Sequence, residues 1–367
     1  MKAAILREIN RPLLVTDVDI DPPRQGEVMV RMVAGGVCHS DLHAIHGDLA
    51  APLPVVPGHE GAGIVEKVGP GVRSVVPGDH VLLLWRASCG KCYFCSRGRP
   101  ALCDLGSRIR WSGKLGDGTA RFHWQGQEVN HFGGVSSFAE YSVLVEEAVI
   151  KIPNDISLVK AALVGCAVMT GVGAVMNTAQ VEAGSSVAVI GAGGVGLNVI
   201  QGAALVGAER IIAVDLLDNK LEYARQFGAT HTVNAGRQDV AAVIRDLTDG
   251  RGVDYAFEVI GQPKTIAQAL EATRRGGKTV LIGIPATGAL VAIAAQPFVL
   301  QEKTLIGSLY GTTVPHRDVP MLLGLYAAGR LKLDELISRE YPLADINEAF
   351  AALERGEVAR SVIHFPE

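Results

Sequence analysis

Aromatic side chains are scarce, at 5% of the 367 residues, and neither sign of charge dominates: 34 Lys and Arg face 38 Asp and Glu, for a formal net charge of -4. That balance, with no run of like charge, leaves no electrostatic basis for a nucleic-acid or anionic-membrane partner. The N-terminal stretch MKAAILREINRPLLV lacks the unbroken apolar segment of a secretory leader, because Arg7, Glu8 and Arg11 interrupt it. The expectation is therefore a cytoplasmic protein. Cysteine is sparse as well, with six in the chain; these are too few for a scaffold stapled by disulfides.

What the chain has is glycine, 43 residues, in a sequence that is 48% hydrophobic. At this length the composition suits a soluble α/β protein of two domains with a large core. From Val187 to Ala208 run 22 residues whose only polar side chains are Asn198 and Gln201, long enough to span a bilayer. Six glycines break it, four of them within GAGGVG, and a buried strand, a tight turn and a buried helix account for it better.

The cysteines fall into two groups. Cys89, Cys92, Cys95 and Cys103 occupy a 15-residue stretch, CGKCYFCSRGRPALC, with the spacing C-x2-C-x2-C-x7-C. Four thiolates so close surround one tetrahedral Zn2+ and leave no open position, the pattern of a structural site. Local disulfides are the alternative that a reducing compartment disfavours. Reduced core thiols would not sit among Lys91, Ser96, Arg97 and Arg99. Cys38 and Cys166 lie far apart, and His59, in PGHEGAG, is the candidate third ligand. Two thiolates and one imidazole would leave a fourth zinc position open for catalysis, although isolated cysteines are more often core residues.

A nucleotide site is indicated by SSVAVIGAGGVGLNVIQGAALVGAERIIAVD, which reads as strand, glycine turn, helix, strand. Gly191, Gly193 and Gly196 give G-x-G-x-x-G directly after the apolar run Val187 to Ile190, with Gly194 and Val195 inside the turn. The first glycine serves the tight turn, the second lets backbone approach a pyrophosphate, and the third lets helix pack on strand. Asp215 ends the second strand, 19 residues after Gly196. An acid there accepts from the ribose hydroxyls and repels a 2'-phosphate, which favours NAD over NADP. Further strands alternate with helices, so a doubly wound parallel sheet is predicted over 168–309. A strand-rich domain is predicted over 1–167 and completed by 310–367, with the active site in the cleft between the two.

Over its whole length the chain resembles the zinc-containing medium-chain alcohol dehydrogenases. The matching pieces are GVCHSDLH, PGHEGAG, the four-cysteine lobe, FAEY, LVGCAVMTG, GAGGVG and FEVIG, the last containing Val259. The resemblance implies a GroES-like β-rich catalytic domain plus a Rossmann domain, two zincs per subunit, and NAD as oxidant of a small alcohol. It implies Cys38, His59 and Cys166 as catalytic zinc ligands, with Asp41 holding the His59 imidazole and Glu60 a carboxylate behind the ligands. Ser40 would bond the substrate oxygen and start a proton path that His43 ends. Arg360 would contact the pyrophosphate, Lys220 the adenosine ribose, and Val259 the cofactor. His39 stands where some members have an arginine for the pyrophosphate, so its grip on that anion would vary with pH. Trp85 and Phe132 would line the substrate channel, with Gly133 leaving room further out. Within the family a glutathione-dependent formaldehyde dehydrogenase is the nearest alternative. The segment 108–130 is absent from shorter, often tetrameric relatives, which points to a homodimer.

Overall fold

The computed structural model describes residues 1–366. The chain divides into two compact units, one of Met1–Cys166, Val314–Tyr326 and Leu333–Glu367, the other of Ala167–Thr313 and Ala327–Lys332.

In the first unit a seven-stranded sheet is ordered Val149–Lys151, His80–Leu83, Glu60–Val68, Glu27–Val37, Arg360–His364 and Ile337–Pro342, with Tyr141–Val145 also paired to Glu27–Val37. The central strand, EVMVRMVAGGV, is buried at nearly every position, which explains its continuous apolar reading. The strand contributed from the far end of the sequence, Arg360–His364, pairs antiparallel with it, Val362 opposite Gly36 and Ser361 opposite Val37. Glu60 lies opposite Gly36 on the other side. One strand end thus gathers residues from three distant parts of the sequence. A smaller four-stranded sheet, Asp19–Ile20, Phe122–Trp124, Gln127–His131 and Val55–Val56, takes in the 108–130 segment. Its Arg121, fully buried, bonds Glu27 through Nε at 2.9 Å and through a guanidinium nitrogen, and Asp117 at 2.8 Å. That segment is therefore integral to its own unit.

The second unit is a six-stranded parallel sheet ordered His231–Asn234, Arg210–Asp215, Ser186–Ile190, Val253–Glu258, Thr273–Leu281, Thr304–Gly307. Numbered within the unit this is 3-2-1-4-5-6, the dinucleotide-binding order of a Rossmann domain. The apolar run Val187 to Ala208 resolves into the strand Ser186–Ile190, the glycine turn and the buried helix Gly194–Leu205. Among the described residues no single helix is long and apolar enough to cross a membrane.

Candidate metal and nucleotide sites

The central strand of the first unit ends at Val37, and Cys38 caps the helix His39–His46 that follows. Cys38 is extended, at φ -132°, and its carbonyl accepts from the Asp41 and Leu42 amides at 3.1 and 3.3 Å. This first turn points Asp41, fully buried, back at the loop before Glu60. Its Oδ1 accepts from the Gly58 amide at 3.0 Å and from His59 Nδ1 at 3.1 Å. The loop turns tightly because Gly58 has φ +95°, and a Cβ there would lie 2.4 Å from Ser137 Oγ. With Nδ1 committed to Asp41, His59 presents Nε2, which is buried without a hydrogen-bond partner.

The ligand atoms of Cys38, His59 and Glu60 lie within 4.8 Å of one another. Cys166, at the end of the turn Leu163–Gly165, acts on the Cys38 thiol but lies outside that mutual set. The turn is possible because Gly165 carries no Cβ, which would meet the Leu83 carbonyl oxygen at 2.6 Å. Cys166 outweighs burial and, with the charges of Arg360 and His59, draws the Cys38 thiol well below its ordinary range. Cys38 is the thiolate of the pair. Burial opposes charge on His59, but Asp41 and Cys38 overcome it and hold its basicity well above normal. A buried imidazole nitrogen, a buried thiolate and a second thiol converging around orphaned lone pairs are a donor set suited to Zn2+.

Glu60 and Arg360 are paired with each other. The resemblance had Arg360 reaching for a pyrophosphate; the structure buries it in an ion pair with Glu60 Oε2, leaving Arg360 Nε without a partner. Gly36 makes this pair possible, since a Cβ there would sit 2.3 Å from Glu60 Oε2. The other oxygen of Glu60, Oε1, is unpartnered and 3.8 Å from His59 Nε2. Burial raises its pKa, against the pull of Arg360, to about 7.

Around His59 stand Trp85, edge-on with ring centroids 6.3 Å apart, and Phe132 at 5.9 Å. Ser40 is half-buried in the first helical turn and His39 is exposed. His43, one turn on, places Nδ1 3.3 Å from Asp48 Oδ2. Two arginines that the sequence reading did not single out are buried here. Arg86 donates to the Ala101 carbonyl at 3.0 Å, and Arg110 packs its guanidinium 4.8 Å from the centre of the Phe132 ring. Nothing in their spacing marked them, because burial of a charge depends on the tertiary surroundings.

In the cysteine lobe, the sulfurs of Cys89, Cys92, Cys95 and Cys103 lie within 4.8 Å of one another, and all four thiols are free. Backbone amides of Cys95 and Asp104 draw Cys92 down to about 6, whereas burial and the bond to Cys92 push Cys95 up to about 12. The Cys89 amide donates to Cys103 sulfur at 3.3 Å. A Zn2+ would deprotonate all four sulfurs.

In the second unit Gly191, at φ +102°, makes the turn after the first strand. A Cβ on Gly196 would fall 1.9 Å from the Gly191 carbonyl oxygen, so only glycine lets this helix pack so close. Gly193 precedes the helix, with open space where its Cβ would be and no side-chain cap on the free N–H groups from Gly194 and Val195 onward. Asp215 is fixed at its strand end by the amides of Ala192 and Leu216, both at 2.8 Å, and of Leu217 at 3.1 Å. Lys220 is half-buried in the next helix, and Val259 donates its amide to Ile190 at 3.0 Å. An uncapped helix start beside an oriented acid suits the pyrophosphate and ribose of a nicotinamide dinucleotide.

The family model for an alcohol dehydrogenase GroES-like domain matches residues 24–154, and that for a zinc-binding dehydrogenase matches 194–328. The chain is 42% identical to an S-(hydroxymethyl)glutathione dehydrogenase from Synechocystis, covering 99% of both proteins. It is also 42% identical to a class-3 alcohol dehydrogenase of Drosophila melanogaster, over 99% of this chain and 97% of that one. Among solved structures, benzyl alcohol dehydrogenase from Acinetobacter calcoaceticus superposes with a TM-score of 0.94 at 35% identity, covering 100% of this chain and 99% of that one. Joined to the two cysteine sites and the glycine turn, these likenesses establish that the chain is an oxidoreductase belonging to the zinc-dependent medium-chain alcohol dehydrogenase family.

Proposed function

We propose that the protein interconverts primary alcohols and aldehydes, with some secondary alcohols, by hydride exchange with NAD at a zinc held by Cys38, His59 and Cys166. The observation that carries the reading is the buried, unpartnered Nε2 of His59 facing the Cys38 thiolate. Bound zinc supplies Lewis acidity to the alcohol oxygen and the dinucleotide accepts the hydride.

The chain does the rest. Asp41 fixes the His59 tautomer through the 3.1 Å bond to Nδ1. Ser40 Oγ takes the hydroxyl proton while passing its own to the nicotinamide ribose hydroxyl, and His43, three residues on along the same helix face, takes the proton that the ribose releases and delivers it to solvent beside Asp48. Trp85 and Phe132 shape an apolar wall, so preference among homologous alcohols is modest, at about 1 to 3 kcal/mol per methylene. Asp215 repels a 2'-phosphate and selects NAD. His39, Lys220, Val259 and the free N–H of the glycine turn complete the cofactor contacts. Arg360 is bound to Glu60 and keeps its buried Nε unpartnered. The four-cysteine lobe holds a second, structural zinc.

Self-association as a homodimer fits the second unit, whose sheet ends in the edge strand Thr304–Gly307 and which exposes Leu290, Val299 and Leu300. Six free cysteines suit a reducing cytoplasm.

NAD reduction with ethanol, hexanol, benzyl alcohol, a secondary alcohol and S-hydroxymethylglutathione, before and after zinc removal, tests the proposal. Turnover of simple alcohols that stops without zinc is the expected result; no turnover of any of them by protein carrying two zincs overturns it. The name of the Synechocystis relative favours a second reading, oxidation of the glutathione adduct of formaldehyde, which turnover of that adduct alone would establish.

A further inference from the structure

Glu258 ends the strand Val253–Glu258 at the carboxyl edge of the parallel sheet, opposite Ile190 and Leu281, and is fully buried. Its Oε1 accepts from the amides of Ile260 and Gly261, at 3.0 and 2.8 Å, and from Thr265 Oγ1 at 2.7 Å. Its own carbonyl accepts from the amides of Ile282 and Gly283, at 2.8 and 3.1 Å. One residue therefore fastens two loops that follow neighbouring strands, the first through its side chain and the second through its backbone. The loops meet closely. Gly261 has φ +87°, and a Cβ there would lie 2.6 Å from the Ile284 carbonyl carbon, while one on Gly283 would lie 2.1 Å from the Gly261 nitrogen.

The first loop carries Ile260, which is 40% exposed despite its apolar side chain. Its Cγ1 is 2.8 Å from the point where a Cβ on Gly191 would stand, so it takes the space that the first glycine of the phosphate-binding turn leaves open. Ligands of such sheets lie at the carboxyl ends of the strands. An exposed apolar side chain set there against the glycine turn is a wall for the dinucleotide. Glu258 does not reach that surface itself, since the residue is 0% exposed. Its second oxygen, Oε2, is buried without a hydrogen-bond partner. Loading three donors onto one oxygen and leaving the other with none destabilises the fold relative to a fully bonded group. What the arrangement secures is the direction of the turn.

We propose that Glu258 is a positioning residue for the cofactor: by holding the turn at 259–261 it sets Ile260 against the glycine turn, and so governs how tightly the dinucleotide binds without touching it. The inference rests on the NAD-binding reading of the second unit. The role belongs to the reach of the side chain rather than to its charge. The two amides and the Thr265 hydroxyl need an acceptor where Oε1 stands, and Oε2 makes no bond that an amide nitrogen would lose.

Titration of NADH by its fluorescence into zinc-loaded wild type, Glu258→Gln, Glu258→Asp and Ile260→Ala proteins separates reach from charge. Glu258→Gln keeps an acceptor in place and should bind NADH within about threefold of wild type. Glu258→Asp keeps the charge but draws the oxygens back by one methylene. It should bind about 10-fold more weakly, with the KM for NAD raised alike and the KM for hexanol unchanged. Ile260→Ala, at an exposed position where folding is not at stake, should show a similar loss, and adding Glu258→Asp to it should cost about twofold at most, because the side chain being positioned is gone. Wild-type NADH affinity in Glu258→Asp or in Ile260→Ala overturns the proposal. Equal weakening in Glu258→Gln and Glu258→Asp would assign the effect to charge and overturn it too. So would fully additive losses in the double variant, or a KM for hexanol that rises with that for NAD, since either makes Glu258 a fastener of the fold alone. A wild type that binds NADPH in place of NADH would instead count against the NAD reading, and the same order of variants in NADPH binding would leave the positioning role standing; one that binds neither overturns both.

Discussion

The two cysteine clusters of the first unit contrast in how they are made. In the lobe, four sulfurs come from one short loop, three of them half-exposed, with backbone N–H groups turned onto sulfur. At the other site two cysteines and a histidine arrive from separate parts of the chain and are all buried, among Asp41, Glu60 and Arg360. The lobe can close a tetrahedral shell by itself. The buried site has two thiols and one imidazole nitrogen, and of its other nearby acceptor, Glu60, one oxygen is tied to Arg360 and the other is unpartnered. A local, sulfur-only cluster serves to fasten a loop; a dispersed, buried, mixed cluster holds a metal with a place left for a reactant.

The strongest test of this contrast removes one ligand from each. Cys38→Ser should lower NAD-linked alcohol oxidation by about 1000-fold or more, since the Lewis acid contributes several kcal/mol at the transition state. Metal analysis should then find one zinc per chain with a thermal midpoint close to wild type. Cys103→Ser should do the reverse, with a midpoint lowered by roughly 10 °C for a loss of about 3 kcal/mol in a domain of this size. Equal losses of activity and stability in both variants would erase the distinction. A smaller effect is expected from Asp41→Asn. The amide still meets Nδ1 but without charge, and zinc affinity or turnover should fall about 10- to 100-fold, read by competition with a fluorescent chelator.

The same contrast explains what was legible in the sequence. The lobe and the glycine turn are local, and their spacing alone specified them; so was the parallel sheet, because each strand is a separate apolar run. Cys38, His59 and Cys166 could be grouped only loosely from the residues, with isolated cysteines in the core as the rival, and the family resemblance firmed the grouping, since nothing local joins them. The Glu60–Arg360 pair escaped even that. It depends on two strands lying on either side of Gly36, and on glycine leaving room between them. Arg110 was invisible for a similar reason: in sequence it is one more charge in a polar segment, and only packing against Phe132 and Trp111 sets it apart.

A finer comparison lies between two buried histidines of this unit. His59 is held by a carboxylate and kept basic. His131 is equally buried, but the charges of Arg121 and Lys114 act on it more strongly than the opposing charge of Glu128, and its Nε2 accepts from the Arg121 amide at 3.2 Å. Burial first, then those cations, lowers its pKa from 6.5 to about 3. The folded state therefore refuses a proton that the unfolded chain accepts. The stability that depends on a neutral His131 is complete above pH 6.5 and drains away as the pH falls toward 3, at a limiting slope of about 1.4 kcal/mol per pH unit. In His131→Asn that slope should be absent, so urea midpoints of wild type and variant should converge as the pH is lowered from 7 to 5, whatever the variant loses at neutrality through its changed contact with Phe122. A constant gap between the two curves would show that His131 takes up its proton while folded. The cations around it would then be too well screened to distinguish a structural histidine from one held ready for a metal.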